Sequence, residues 1–141
     1  VAYAHGKDSY FAVEDSAATT LRAIVGIKTI TFGQENELAD ITIIGDEGRK
    51  WRQGLTNGTI QITGLWENTA STGSHVVLQS LVGIEVTTGF EYGPQGNTST
   101  NVKLSGECVL ASFETNTDVG DMVLFTATFN IHGDVTLGTF T

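Results

Sequence analysis

Apolar and polar residues alternate along much of this chain, and a period of two marks a half-buried strand. In MVLFTATFNIHG, residues 122–133, Val123, Phe125, Ala127, Phe129 and Ile131 share one face, while Thr126, Thr128 and Asn130 share the other. IEVTTGFEY, residues 84–92, alternates as strictly: Ile84, Val86, Thr88, Phe90 and Tyr92 oppose Glu85, Thr87, Gly89 and Glu91. NGTIQITGLW, 57–66, turns Ile60 and Ile62 inward and Gln61 and Thr63 outward. SYFAV, 9–13, and IKTITF, 27–32, are shorter strands, the second with Ile30 and Phe32 on one face. NVKLSGECVLASFE, 101–114, is a long strand whose apolar face switches near Cys108 to Leu110, as a bulge would make it do. The tail DVTLGTFT stays strand-like to its last residue.

Two segments depart from the alternation. STGSHVVLQSLVG, 71–83, spaces Val77, Leu78 and Leu81 as a helix does, with Ser71, Thr72 or Ser74 able to cap its start and Gly83 able to end it. Residues 33–54 are mostly polar and interrupted by glycines, with one apolar island at Ile41, Ile43 and Ile44. The pattern predicts a long loop there, and long loops in compact domains are functional or disordered. The expected fold is all-β with one helix: an antiparallel β-sandwich or barrel of about six strands, flanked by a single α-helix over about 71–82. Neither a repeat nor a linker interrupts the chain, so residues 1–141 form one domain.

Composition supports strands and narrows the chemistry. The 141 residues include 17 Gly and 1 Pro, and only 16% are charged. The 7 Lys and Arg stand against 16 Asp and Glu, for a formal net charge of -9. Such a surface repels nucleic-acid phosphates on average. Against that background GRKWRQG, 48–54, gathers Arg49, Lys50 and Arg52 around Trp51. Cations interleaved with an aromatic suit a nucleic-acid groove. Trp and Arg also dominate protein interfaces. Asp46 and Glu47 precede the run and offset part of its charge, and an exposed loop also uses such cations to grip an acidic neighbour.

Catalytic patterns are missing. His5, His75 and His132 lie far apart without metal-ligand spacing. No P-loop, GxGxxG or GxSxG occurs. Cys108 sits mid-strand among apolar neighbours, unlike an activated thiolate, and a lone thiol forms no intrachain disulfide. Glu85 and Glu91 share a strand face with Thr and Gly, where solvated charge is the ordinary reading rather than a glycosidase pair. We expect no enzyme activity, no cofactor and no metal. No apolar run approaches a membrane span, and the amino-terminal VAYAHGKDSYF lacks the apolar core of a signal peptide.

FEYGPQG, VKLSGECVLASFE and DMVLFTATFNIHGDVTLGTF, in that order, resemble the major tail tube proteins of long-tailed bacteriophages. RKWRQGLTNGTIQITGLWE resembles the same family through Gly54, Leu55, Gly58, Thr59, Gly64, Trp66 and Glu67. The resemblance covers nearly the whole chain and is carried by the order and spacing of short β-turn patterns. Phage-derived and secretion-system tubes share this fold.

The resemblance implies a structural virion protein that self-assembles into stacked hexameric rings, a helical tail tube through which double-stranded DNA passes without sequence-specific binding. It implies a tape-measure protein and tail terminator or baseplate proteins as partners, no membrane, and a place in the virion tail after assembly in the host cytoplasm. Residues 33–54 become an inter-subunit loop and 133–141 a C-terminal arm. Expected contacts between subunits are Ile41, Ile43, Ile44, Arg49, Lys50, Trp51 and Arg52. Expected on the lumen wall are Gln61, Thr63, Lys103, Ser105, Glu107, Thr126, Thr128 and Asn130. Lys103 is the awkward member, since a ring of lysines attracts DNA unless Glu107 or another acid lies close. The strand 122–133 is expected to leave an edge that ring closure covers. Alternative roles are a head decoration or head–tail joining protein, or a tube subunit of a gene-transfer particle. A carbohydrate-binding module would need Trp51 and Trp66 displayed together on one face.

Overall fold

A computed structural model describes residues 6–14, 21–66, 74–84 and 86–141. The proposed helix caps Ser71 and Thr72, together with His5, Glu67 and Glu85, lie outside them. One seven-stranded antiparallel sheet organises the chain, built from β1 (Tyr10–Glu14), β2 (Leu21–Ala23), β3 (Ile27–Asp40), β4 (Trp51–Leu65), β5 (Thr88–Gly93), β6 (Val102–Asn116) and β7 (Leu124–Thr139). The strand order is β2-β1-β5-β6-β7-β4-β3. Among the described residues one α-helix, α1 (Ser74–Ser80), lies between β4 and β5.

The sheet curls until its far parts touch. Phe32 on β3 stacks on Tyr92 of β5 with ring centroids 5.2 Å apart. Those strands stand four places apart in the order, a span of about 19 Å in a flat sheet. Phe11 of β1 reaches Phe129 of β7 across three places, at 5.9 Å. The sheet is therefore barrel-like without closing: one sheet folded around its core, where the sandwich reading allowed two.

The core fills the concave side. Ile60 and Ile62 of β4, Phe125, Ala127 and Phe129 of β7, Phe90 of β5 and Phe11 and Val13 of β1 are all buried there. Val77, Leu78 and Leu81, from α1 and the turn after it, pack into the same cluster. Gly83 ends the helical segment with a φ of 82°, which a residue with a side chain resists. Cys108 is fully buried; burial, with Glu107 and Glu14 nearby, pushes its thiol up to about 12. That thiol is a small core side chain.

Several boundaries move relative to the sequence reading. β5 starts at Thr88 rather than 84, because the chain is still leaving the helical turn at Leu81 to Ile84, where the Ile84 amide donates to the Leu81 carbonyl. Val86 is accordingly exposed. β6 has a register shift against β7 between Leu110 and Ser112, where its apolar face was expected to switch. Over Leu124–Asn130 β7 is not an open edge, being paired on both sides by β4 and β6; beyond Asn130 it has β6 alone.

Residues 33–54 are not an irregular loop. β3 runs on to Asp40 and β4 begins at Trp51, paired from Gln34↔Gly58 to Asp40↔Trp51 with a register shift between Asn36 and Leu38. β4 pairs with β7 only over Thr59–Leu65. Amino-terminal to Thr59, β4 keeps β3 as its strand partner, while β7 stays with β6 as far as Thr139. The sheet thus forks at Gly58, a buried residue against Ile131, and a two-stranded ribbon leaves the body.

Candidate functional surfaces

The first surface is the convex, polar side of the sheet. Strand alternation and register decide its membership. Gln61 lies opposite Thr128 and Thr63 opposite Thr126, outward because Ile60, Ile62, Ala127 and Phe125 point inward. Thr59 lies opposite Asn130. On the neighbouring strands Glu91 opposes Ser105, Gly89 opposes Glu107, and Glu107 in turn opposes His132. Lys103 continues the row of Ser105 and Glu107. All eight residues expected on a lumen wall therefore share one face of one sheet. Ser112 and Glu114, opposite Thr128 and Thr126, join them. The shift at Leu110/Ser112 hid this pair, since the alternation carried on from Glu107 would have turned them inward.

The charges on this face are uneven. Lys103 is the sole Lys or Arg of β5, β6 and β7, which also carry Glu91, Glu107 and Glu114. Lys103 is also paired: its Nζ donates to Glu91 Oε1 at 3.4 Å. The acid beside Lys103 is thus Glu91, from the adjacent strand, rather than Glu107 of its own strand. Strict alternation over 84–92 had already put Glu91 on the polar face, but only register could bring it to Lys103.

The carboxyl-terminal residues lie over the same corner. The Phe140 amide donates to the Asn101 carbonyl at 2.9 Å, and the Phe140 carbonyl accepts from the Thr100 amide at 2.8 Å. The Phe140 ring packs edge-on against Tyr10, and Lys103 Nζ stands 5.5 Å from its centroid, within cation–π range. Gly93 makes room for it, because a Cβ there would come within 2.8 Å of the ring. Burial and then the Glu91 charge push the Tyr10 phenol above its ordinary value.

The second surface is the tip of the ribbon. Its turn is closed by local bonds: the Ile41 amide donates to the Lys50 carbonyl, the Lys50 amide to Thr42 Oγ1, and the Thr42 amide to Asp40 Oδ1. Asp46 accepts from the Ile43 amide and pairs with Lys50 at 3.0 Å; Arg49 pairs with Asp40 at 3.0 Å. Hydrogen bonds from Thr42 hold the Asp40 carboxyl below its ordinary value, with Arg49 adding to the effect. The Ile43 amide and then Lys50 do the same for Asp46. Arg49 and Lys50 were expected to grip a neighbour's carboxylates; within the subunit both already hold acids of their own tip.

The apolar tip residues have no such cover. Ile43 and Ile44 are 72% and 103% exposed, and Ile41, Trp51, Leu38 and Leu55 are also exposed. Leu38 and Leu55 had escaped notice because each stands alone among polar neighbours. At the other end of β4, Trp66 packs against His75 and Phe113. The two tryptophans therefore lie at opposite ends of one strand and make no shared sugar platform. Among the described residues no cluster of three or more His, Cys, Asp and Glu could hold a metal ion, and no helix is long and apolar enough to cross a membrane.

No protein-family model and no curated protein matches the chain. Solved structures do match. A chain in the tail of an empty gene transfer agent particle, of C6 symmetry, superposes with a TM-score of 0.81 at 12% identity, over 97% of this chain and 100% of that one. The tail tube of SPP1 gives 0.76 at 11% identity, over 99% of this chain and 81% of that one. A chain of the sheath–tube complex of an extracellular contractile injection system gives 0.65 at 9% identity, over 97% and 92%. At such identities the likeness is one of fold, and the fold of this chain is that of the tail tube proteins of phages and phage-like particles.

Proposed function

We propose that this chain is a non-enzymatic structural subunit of a phage-type tail, which assembles with copies of itself into stacked hexameric rings and so builds a tube that conducts double-stranded DNA. The observation that carries the reading is the ribbon. A protein with this fold holds a two-stranded arm clear of its body and displays Ile41, Ile43, Ile44 and Trp51 at the tip. Exposed apolar clusters of this kind mark interaction sites. Two-stranded ribbons are marginal alone, so the tip gains from burial against another subunit. Residues 133–141, an arm in the tail-tube reading, would complete a contact between subunits from their place at the edge of the polar face.

The polar face then lines the channel. Gln61, Thr63, Ser105, Thr126, Thr128 and Asn130 offer uncharged hydrogen-bonding groups, and Glu107 and Glu114 repel phosphate. A wall of that composition lets DNA pass without sticking. Tape-measure, terminator and baseplate proteins would be its partners, and the virion tail its location. The C6 tail of the gene transfer agent supports sixfold rings and makes a gene-transfer particle an equal host for the same subunit. A head decoration or head–tail joining role has no such support.

Electron microscopy of the purified protein tests the reading. Hollow tubes of stacked sixfold rings are expected; protein that stays monomeric at high concentration, or decorates capsids without polymerising, would overturn it. Charge reversal at Arg49 and Arg52 separates the two uses of the basic run. Blocked assembly supports an interface role, whereas normal tubes with altered DNA passage would return GRKWRQG to nucleic-acid contact.

A further inference from the structure

We infer that Glu91 is a built-in mask for Lys103, holding the one cation of β5–β7 on the polar face away from nucleic-acid phosphate. The inference rests on the reading of that face as a channel wall. Three observations carry it. Lys103 is the sole Lys or Arg on β5, β6 and β7. Its ammonium donates to Glu91 at 3.4 Å, with the two side chains only 26% and 21% exposed. The same Nζ stands 5.5 Å from the Phe140 ring centroid, so an aromatic and a carboxylate both lie beside the cation.

The arrangement resolves a conflict between packing and transport. Lys103 is useful where it stands, because its charge lies over the Phe140 ring and favours the place of the carboxyl-terminal residues over Gly93 and Tyr10. The same charge, repeated once per subunit, would line a tube with cations. Each phosphate neutralised by a lysine releases counterions, and the effect compounds with the number of lysines engaged. A carboxylate at fixed distance cancels the charge locally and occupies one ammonium donor. Glu107 and Glu14 cannot substitute for it: a Cβ on Gly89 would meet both, which puts them around that residue, two positions along β5 from Glu91. Glu91 is thus a positioning residue for Lys103, and its effect is to keep DNA moving.

The experiment compares the wild-type chain with Glu91→Gln, Glu91→Asp, Lys103→Gln and the double variant Glu91→Gln/Lys103→Gln, each checked for folding and for tube formation by electron microscopy. In soluble subunits, acetylation of the Lys103 amine is read by mass spectrometry. Loss of the partner should speed it about threefold, the scale of a partly exposed ion pair, and aspartate should restore most of the protection. In assembled tubes, retention of a short double-stranded DNA is read against salt concentration. Glu91→Gln tubes should hold about tenfold more DNA at low salt and release it at high salt, while Lys103→Gln and the double variant stay at the wild-type level. A merely structural role for Glu91 would not make the gain depend on Lys103. Equal acetylation rates in wild type and Glu91→Gln, or retention in the double variant equal to that of Glu91→Gln, would overturn the inference. If the wild-type chain forms no tubes, the tube reading fails by microscopy, and acetylation still decides whether Glu91 shields Lys103.

Discussion

The body of the sheet and the ribbon that leaves it are made of the same strands, yet they obey different rules. On the body side of Gly58, β4 has partners on both edges and a buried face. Ile60 and Ile62 are fully buried, and Phe129, opposite Ile60, is buried with them. Beyond the fork the same strand has one partner and no buried face, and residues 51–57 are all exposed. The body is held by apolar burial, which is indifferent to pH and local bonding. The ribbon is held by its ladder of backbone bonds and by side chains at its tip, and its apolar groups contribute nothing until something covers them. One strand therefore serves stability in one half and, under the proposed function, would serve association in the other.

Substitutions on the two sides of the fork should separate these roles. The largest effect falls in the body: Phe129→Ala should cost about 3–5 kcal/mol of unfolding free energy, read by chemical denaturation. A cost below about 1 kcal/mol would mean the curled sheet is not the cooperative unit. In the ribbon, the double substitution Ile43→Asp/Ile44→Asp should leave stability within about 0.5 kcal/mol yet abolish polymerisation; tubes of normal length from this variant would dissolve the distinction. The smallest effect is on the tip turn, and it depends on pH. Asp40 and Asp46 have folded-state values below the ordinary 3.8, so their contribution is fully present above that value. It should fade as pH falls from there through the lowered folded values. Amide exchange of Ile43 and Thr42 should accelerate over that window while protection of Ile60 and Ile62 does not; parallel loss at all four would place tip and body in one unit.

How far the sequence could be read follows from the same division. Strand alternation is visible only where one face is buried and the other wet. Residues 124–131 and 57–65 meet that condition, and their facing was legible residue by residue. So was α1, because Val77, Leu78 and Leu81 share one stripe. GQENELAD, the outer half of β3, is wet on both faces. Nothing in its order of residues distinguishes a strand from a loop, since its pairing is a property of the backbone and of the opposite strand. The three residues of β2 are too few to show a period. Membership of the polar face was legible for the eight named positions, but its internal pairing was not. The Lys103–Glu91 contact requires the register of β5 on β6, and Ser112 and Glu114 require the shift at Leu110. The isoleucine island was visible as an anomaly, and the structure turns the anomaly into an address at the end of a ribbon.

The fork at Gly58 has a further consequence. No residue of the ribbon beyond it takes part in the β4–β7 register, so the ribbon behaves as an adjustable spacer on a fixed mount. Adding two residues to each of its strands would preserve which side chain faces which way and advance the tip by about 7 Å. The hydrophobic interior would register no change. Deleting two from each would retract it by the same step. Reach can thus vary separately from folding, and under the proposed function the length of one hairpin would set how far each subunit extends toward the next.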